Sequence, residues 1–424
     1  MRRPVPRNLL HDGRRRSVGF AQFLTPIPGV FSAATQIVTR TKKSGKNLLR
    51  RPPVTLPRLF WQIIIALAAL TAPPGQSATP ENTRENAVRA LVEEKIDSHG
   101  PGVAILVSRN GVPLHLAGYG LADIEAGTPI TPDSLFDLAS VSKHITGVAI
   151  LTLVEKGKLK IDRPLSDYLE DFAVPVKGRA VTVADLLHHV SGLADYTSDD
   201  WEGSDEEFAA LTNEGHLKWL NGTRPRRAPG VKYEYNNSEY ALLALIVERL
   251  SGRTFSQYVH DRLFAPAGMK QTLVLDGAAK LPAAAVKGYA TNANGKARRS
   301  SSPTVITGDG SVYTSVRELA LWDKALREHA IISGRSQEMA WTNGRFDNGK
   351  PIKDDDGDGY GFGWVIEKKR RVVSHSGSWS GSATYFLFDL EEGFTVAVLS
   401  NDEKAAVSDL AEELLALFVN EPGF

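Results

Sequence analysis

The chain has 424 residues, of which 42% are hydrophobic and 23% are charged, and it contains no cysteine. This length and composition are typical of a globular protein with ample material for a hydrophobic core. The absence of thiols excludes disulfides and cysteine-based catalysis. Residues 1–58 carry thirteen Lys or Arg and one acidic residue, so the overall net charge of +1 hides an acidic remainder of −11. That acidity argues against nucleic acid as a partner.

The first predicted element is an uncharged apolar stretch at residues 59–72 (LFWQIIIALAALTA) that follows Arg58. A secretory signal needs an apolar run of about 7–15 residues, whereas a membrane span needs about 20. We therefore predict a signal-peptide-like segment over 54–78 and a periplasmic or secreted protein. A membrane anchor formed by residues 59–72 is the alternative. Residues 1–53 are interpreted as a basic extension, spurious or disordered, and residues 79–424 as the folded domain.

The folded domain is predicted to begin and end with strands. Front strands at Val103–Arg109 and 113–119 flank the hairpin signal Asn110-Gly111. A long buried helix is expected over 134–156, ending at Gly157. Further helices are expected over 183–189, 240–250 (closed by Gly252), 316–328 and 407–419. Residues 291–304 are expected to form a polar surface loop, and back strands are predicted at 371–374, 384–390 and 394–399.

These elements predict an α+β fold. Two strands at the front and three or more at the back suggest one antiparallel β-sheet built from both ends of the chain. Helices flank this sheet, and a mainly helical region is inserted at about residues 160–300.

Ser140-Val141-Ser142-Lys143 is the first candidate for chemistry. A serine hydroxyl is a weak nucleophile until a base takes its proton. Residues i and i+3 share a helix face, so the Lys143 amine can reach the Ser140 oxygen. The alternative is a helix-capping serine beside a solvated lysine, and S-x-x-K alone recurs by chance.

Two later motifs add candidate partners. Tyr235-Asn236-Asn237 precedes the 240–250 helix, and a tyrosine beside an ammonium can act as a general base while an asparagine amide holds a carbonyl. His375-Ser376-Gly377 ends a predicted strand that can lie along a substrate. The tyrosine motif alone is also consistent with a packed loop tyrosine beside a capping asparagine.

In this order the three motifs resemble the serine penicillin-recognising superfamily, which includes class C β-lactamases, D,D-carboxypeptidases, D-aminopeptidases and family VIII esterases. The similarity covers residues 85–420. It also includes the following segments, in the family's order: 136–140 (FDLAS), 186–193 (LLHHVSGL), 229–230 (PG), 308–312, 360–364 (YGFGW), 375–381 and 399–401 (LSN).

The resemblance implies a β-lactamase/transpeptidase-like fold and a role for each matched residue. Ser140 would be the nucleophile, and Lys143 with Tyr235 would carry the proton to the leaving group. Backbone N–H groups of Ser140 and Ser378 would form the oxyanion hole. Asn237 and the strand that carries His375 and Gly377 would orient the substrate. No cofactor and no metal are implied.

The departure from the family pattern is His375, because most β-lactamases of the superfamily carry lysine there. An imidazole holds a substrate carboxylate less firmly. We therefore expect a serine acyl-hydrolase acting through an acyl-enzyme on a small amide or ester, such as a D-amino-acid peptide, a peptidoglycan fragment or an ester. A β-lactamase is the alternative. A non-catalytic binder of cell-wall peptides or β-lactams is the alternative from another class.

Several further features are interpreted as structural. The acidic segment 354–359 opens like a calcium loop, but Val365 occupies the position where a bidentate glutamate is needed, so a solvated turn is expected. The histidines of the 186–193 segment are expected to be structural, and His144 to face away from the nucleophile. Trp364 and Trp379 are expected to line the cleft or to pack in the core.

Overall fold

The computed structural model describes residues 80–198, 200–277, 280–302 and 304–420. The predictions made for residues 1–53 and 54–78 lie outside the described residues. Within the described ranges, no helix is both long enough and apolar enough to cross a membrane.

The described helices and strands follow one another along the chain in an α+β arrangement. The α-helices are α1 (Pro80–Lys95), α2 (Lys143–Glu155), α3 (Val183–Leu187), α4 (Asp205–Ala209), α5 (Asn213–Asn221), α6 (Asn237–Ser251), α7 (Phe255–Val259), α8 (Ala265–Ala267), α9 (Val316–Arg327), α10 (Gly334–Ala340) and α11 (Val407–Val419). The strands are β1 (Val103–Arg109), β2 (Val112–Tyr119), β3 (Leu121–Asp123), β4 (Thr128–Pro129), β5 (Phe136–Asp137), β6 (Leu273–Val274), β7 (Tyr289–Thr291), β8 (Ala297–Arg299), β9 (Val312–Thr314), β10 (Gly359–Tyr360), β11 (Val365–Ile366), β12 (Val372–Trp379), β13 (Ser382–Asp389) and β14 (Phe394–Ser400).

The largest sheet has seven antiparallel strands in the order β10-β11-β12-β13-β14-β1-β2. Strand β1 from the front of the domain pairs with β14 from the back, with Val103 opposite Ser400 and Arg109 opposite Phe394. This pairing confirms that both ends of the domain build one antiparallel sheet. Helices α3 to α8 lie between the two groups of strands, as predicted for the inserted helical region.

Helices cover both faces of this sheet. Ala104 and Leu106 of β1 belong to the same core cluster as Trp322 of α9 and the apolar residues of α2. Since successive side chains of a strand point to opposite faces, the equally buried Ile105 and Val107 face the other layer. There α11 packs on β13 and β14, and α1 packs on α11. The sheet therefore lies between the terminal helices α1 and α11 on one face and the helical core on the other.

Helix α2 lies in the centre of the core, because its sequence KHITGVAILTLVE is apolar on every face and nearly all of it is buried. It begins at Lys143, so the prediction that this helix starts at residue 134 was wrong. Residues Phe136–Asp137 instead form β5, which pairs with β9. Ala139 then takes a φ of +46°, so no continuous α-helix runs through this residue.

The polar segment 291–304 was predicted as a loop, and this too was wrong in part. Residues Ala297–Arg299 pair with Tyr289–Thr291 in a two-stranded hairpin. Gly295 turns the chain between them at a φ of +75°. Each strand has only three residues, and Arg298 and Arg299 are exposed, so the segment lacks the apolar alternation by which a strand is recognised in sequence.

Candidate active site

Ser140 lies in a 3₁₀ turn, Ala139–Ser142, that leads directly into α2. Because side chains at i and i+3 eclipse in a 3₁₀ turn, Ser140 and Lys143 lie on one side. The Lys143 Nζ is 3.2 Å from the Ser140 Oγ. The turn faces a cavity of about 700 Å³ that Ser140 helps to line. The predicted proximity of these two residues is thus present in the fold.

Three acceptors surround the Lys143 amine, which is fully buried. Besides Ser140, it donates to Asn237 Oδ1 at 2.7 Å and to the carbonyl oxygen of Asp309 at 2.9 Å. Burial lowers the pKa of Lys143 to about 8, although the carboxyl groups of Asp309, Asp195 and Glu239 act in the opposite direction. An amine at this position is therefore deprotonated far more readily than an exposed lysine.

The ring of Tyr235 lies over this amine, with Lys143 Nζ 4.9 Å from the ring centroid. The Tyr235 hydroxyl is buried and makes no hydrogen bond of ordinary geometry, yet Ser140 is near enough to act on its pKa. Burial dominates and raises the pKa of Tyr235 well above its ordinary value. The group is consequently a neutral phenol rather than a phenolate.

Asn237 begins α6, and this position presents its side chain to both the lysine and the cavity. Its Oδ1 accepts from Lys143, while its Nδ2 donates to Thr197 Oγ1 at 2.8 Å. The amide orientation is therefore fixed by a partner on each side.

His375 lies on β12 and lines the cavity, but its ring is almost completely buried. One ring nitrogen, Nδ1, is 2.6 Å from the carbonyl oxygen of Ser376, and Nε2 is 2.9 Å from the Tyr360 hydroxyl. Because a carbonyl oxygen can only accept a hydrogen bond, this pattern places the ring proton on Nδ1, and Nε2 accepts from the Tyr360 hydroxyl. Burial, aided by the nearby Lys143, lowers the pKa of His375 to about 3, so the ring is neutral.

The family model described as Beta-lactamase matches residues 85–421, which include this whole constellation. The chain belongs to the Beta-lactamase family. It is 31% identical over 358 residues to Penicillin-binding protein 4* of Bacillus subtilis strain 168, covering 79% of this chain and 76% of that protein. Relatives of this family are serine hydrolases, and so is this chain.

Solved structures of related proteins share the fold. The octameric penicillin-binding protein homologue from Pyrococcus abyssi superposes with a TM-score of 0.69 at 26% identity, covering 81% of this chain and 78% of that one. The D-amino acid amidase from Ochrobactrum anthropi SV3, complexed with L-phenylalanine amide, gives a TM-score of 0.65 at 21% identity, covering 80% of this chain and 99% of that one. The second likeness is one of fold alone.

Other residues of this β-lactamase-family site were not singled out from the sequence. Asp309, whose carbonyl binds Lys143, also accepts the Tyr196 hydroxyl on its carboxylate at 2.7 Å. Tyr360 holds His375. Both Asp309 and Tyr360 fall in segments that matched the family's order, and that was the available signal. The contact between the Asp309 main-chain carbonyl and Lys143 does not depend on residue type, so it could not be predicted from the sequence.

The features expected to be structural lie as follows. His189 is buried against Glu239, with Nδ1 2.5 Å from the carboxylate Oε2. His144 accepts from the indole N–H of Trp322 at 2.9 Å, inside the core and away from the Ser140 side chain, as predicted. Trp364 is core and Trp379 lines the cavity, so each of the two expectations holds for one tryptophan.

The acidic segment 354–359 forms a turn, as expected. The Asp354 carboxylate accepts the backbone N–H groups of Asp356 and Asp358 at 3.0 and 2.8 Å. Among the residues that the structure describes, no group of three or more His, Asp or Glu side chains is arranged to hold a metal ion.

Gly377 lets β12 approach the 3₁₀ turn that carries Ser140. A Cβ on this residue would lie 2.3 Å from the carbonyl oxygen of Leu138 and 2.3 Å from Thr384 Oγ1. We expect Gly377→Ala to lower the free energy of unfolding by about 1–3 kcal/mol. It should also lower kcat about 10-fold or more, because β12 must move away from Ser140.

The matched control is Gly310→Ala, whose Cβ would meet nothing closer than 3.9 Å. Urea unfolding and p-nitrophenyl acetate hydrolysis check both variants. An equal free energy of unfolding for Gly377→Ala and the wild type would contradict the expected steric clash at Gly377.

Proposed function

We propose that the chain is a serine acyl-hydrolase that forms a covalent acyl-enzyme on Ser140. Its substrate is a small amide or ester, of the D-amino-acid peptide, peptidoglycan-fragment or ester type. The observation that carries the proposal is the buried Lys143 amine, 3.2 Å from the Ser140 hydroxyl and held by two further acceptors.

Lys143 is the base that activates Ser140. A neutral amine has two N–H groups to donate and one lone pair to accept a proton. Two of the three partners of the Lys143 amine are oxygens that can only accept a hydrogen bond. The Asn237 amide oxygen and the Asp309 carbonyl take the two N–H groups. The lone pair then points to the third partner, the Ser140 hydroxyl, and removes its proton as the oxygen attacks the acyl carbon.

Tyr235 completes the proton path to the leaving group. Since burial raises the pKa of its hydroxyl, Tyr235 donates a proton to the departing nitrogen or oxygen and regains one from Lys143. Backbone N–H groups of Ser140 and Ser378 serve as the oxyanion hole, and the loss of such a donor costs about 2.7–4 kcal/mol. Water then hydrolyses the acyl-enzyme by the reverse proton path.

Asn237 and the β12 segment that carries His375 and Gly377 orient the substrate. The neutral His375 ring offers no charge to a substrate carboxylate, which supports amide or ester hydrolysis over β-lactam hydrolysis. β-Lactamase activity stays the second candidate, favoured by the description of the matching family model.

Labelling with two probes tests the proposal. Purified protein and its Ser140→Ala variant are incubated with a fluorophosphonate and with a fluorescent penicillin, and then assayed on p-nitrophenyl esters, D-amino-acid amides and nitrocefin. The proposal predicts Ser140-dependent labelling with turnover of esters or amides faster than of nitrocefin. Stable acylation without turnover of any substrate contradicts hydrolysis and favours a non-catalytic binder of penicillin or cell-wall peptides, and nitrocefin as the preferred substrate favours the β-lactamase. Undiminished labelling of Ser140→Ala contradicts the mechanism.

The neutral state of His375 predicts a simple pH profile. Its pKa of about 3 lies far below pH 5, so the imidazole changes charge nowhere between pH 5 and 8. The logarithm of kcat/KM for p-nitrophenyl acetate is expected to rise with a slope of about one as Lys143 deprotonates toward its pKa of about 8. An additional inflection near pH 6.5 that disappears in His375→Gln would contradict this account.

We also propose that residues 54–78 direct export and that residues 160–300 form a helical subdomain of the hydrolase domain at 79–424. The export prediction is tested by N-terminal sequencing of secreted protein. A mature terminus upstream of residue 59 would contradict it.

A further inference from the structure

Ala139, the residue before the nucleophile, has a backbone conformation that side-chain-bearing residues rarely adopt. Its φ of +46° lies in the left-handed region, which favours glycine. Such a conformation persists only where the surrounding structure enforces it. The direction of the chain into Ser140 depends on it, since an ordinary φ at Ala139 would turn the serine out of the 3₁₀ turn.

Asp137 makes a hydrogen bond to this residue. The backbone N–H of Ala139 donates to Asp137 Oδ1 at 2.8 Å. The carbonyl oxygens of Asp137 and Leu138 in turn accept the hydroxyls of Ser382 and Thr384 from β13, at 2.6 and 2.8 Å. The main chain just before Ala139 is thus anchored to the sheet, and among the described residues the acceptor for the N–H of Ala139 itself is the Asp137 side chain.

Asp137 itself lines the cavity, so a substitution of its side chain would change the cavity wall next to Ser140. It lies on β5 opposite Tyr313 and lines the cavity beside Ala139 and Ser140. Burial raises the pKa of the Asp137 carboxyl to about 6, and the neighbouring Asp309 adds to this. The carboxyl oxygen remains an acceptor for the Ala139 N–H in either protonation state.

We propose that Asp137 is a positioning residue for the nucleophile: its carboxyl oxygen holds Ala139 in the left-handed conformation and thereby aims Ser140 at Lys143 and the cavity. Asp137 acts through Ala139 and not on the reacting atoms. The inference rests on the proposed function, because it assigns a task toward the Ser140 nucleophile.

If Asp137 positions Ser140, its alanine and asparagine variants should differ in kcat in a way that a merely structural aspartate would not explain. Asp137→Ala removes the acceptor, and kcat for p-nitrophenyl acetate should fall about 10- to 100-fold with KM changed less than about 3-fold, the scale of a displaced catalytic group. Asp137→Asn keeps an oxygen acceptor and loses the charge, so it should retain kcat within about 3-fold of wild type.

The decisive variant is the double substitution Asp137→Ala with Ala139→Gly. Glycine adopts a positive φ without the steric penalty, so it should recover at least about 5-fold of the kcat lost in Asp137→Ala. Asp97→Ala is the control, because Asp97 Oδ1 accepts the His99 N–H at 2.9 Å in the same i to i+2 arrangement on the surface. It should change kcat less than about 2-fold.

The experiment measures kcat and KM of these variants on p-nitrophenyl acetate, with thermal unfolding recorded for each. No recovery in the double variant, or a loss in Asp137→Asn equal to that in Asp137→Ala, overturns the proposal. If Asp137→Ala does not fold, Asp137→Asn decides, since a loss of 10-fold or more in that variant also overturns it. Ser140→Ala in parallel separates the two claims: wild-type hydrolysis by Ser140→Ala refutes the proposed function, whereas its inactivity beside a fully active Asp137→Ala refutes the positioning role alone.

Discussion

Ser140→Ala is expected to lower kcat about 10⁵- to 10⁶-fold, the scale seen when a nucleophile that acts as one unit with its base is removed. The hydroxyl is the only atom deleted, and the turn that carries it is anchored through its backbone and through Ser142. Folding should therefore be preserved. Steady-state hydrolysis of p-nitrophenyl acetate, with circular dichroism and thermal unfolding of the same samples, measures both effects.

Ser142→Ala is the matched control for that variant. Ser142 lies two residues away in the same 3₁₀ turn, but its hydroxyl accepts the Val312 backbone N–H at 3.3 Å, whereas the serine hydroxyl that binds the Lys143 amine is that of Ser140. We expect a loss of about 1 kcal/mol in stability and little change in kcat. Equal kinetic losses in Ser140→Ala and Ser142→Ala would show that the turn, rather than the Ser140 oxygen, is being tested.

Lys143→Met is expected to lower kcat about 10²- to 10⁴-fold, the range for removal of a general base. Methionine fills a similar buried volume but cannot accept the Ser140 proton. Lys143→Arg should fail as well, because a guanidinium is not deprotonated in proteins. The same ester assay, with single-turnover labelling by a fluorophosphonate, measures the loss. Near wild-type acylation by Lys143→Met would exclude the lysine as base.

The pH dependence of stability offers an independent check on Lys143. Its folded-state pKa of about 8 lies below the unfolded value of 10.5, so the unfolded chain binds more protons between those two values. Stability contributed by this group therefore rises as the pH increases from about 8 toward 10.5. Urea unfolding at pH 8 and pH 10 should show that this increment is smaller in Lys143→Met. An identical increment in both proteins would contradict the low pKa.

Much of the sheet was predictable because its strands carry dense apolar runs. β1 and β14 are buried along nearly their whole length, and both were recognised from the sequence. Helix α6 was also recognised from its apolar run, and Gly252 closes it at a φ of +70°. The start of α2 was not, because the φ of +46° at Ala139 leaves no trace in residue type.

The candidate site was predictable to the extent that its side chains fall in ordered motifs. Ser140, Lys143 and Asn237 meet through direct hydrogen bonds, although 94 positions separate the last two. The other contacts of the site could not be predicted, because they depend on main-chain atoms and on pairing between strands. Asp309 binds Lys143 through its main-chain carbonyl, and Tyr360 reaches His375 because β10 pairs with β11, which in turn pairs with β12.

The acyl-enzyme itself is the most direct test. Protein mixed with p-nitrophenyl acetate is acid-quenched within milliseconds and analysed by intact mass spectrometry, followed by peptide mapping. The account predicts an added mass of about 42 Da, one acetyl group, on the peptide that contains Ser140. The adduct should be absent from Ser140→Ala. An acetyl group that maps to another residue, or rapid turnover in which no adduct forms on Ser140, would contradict the account.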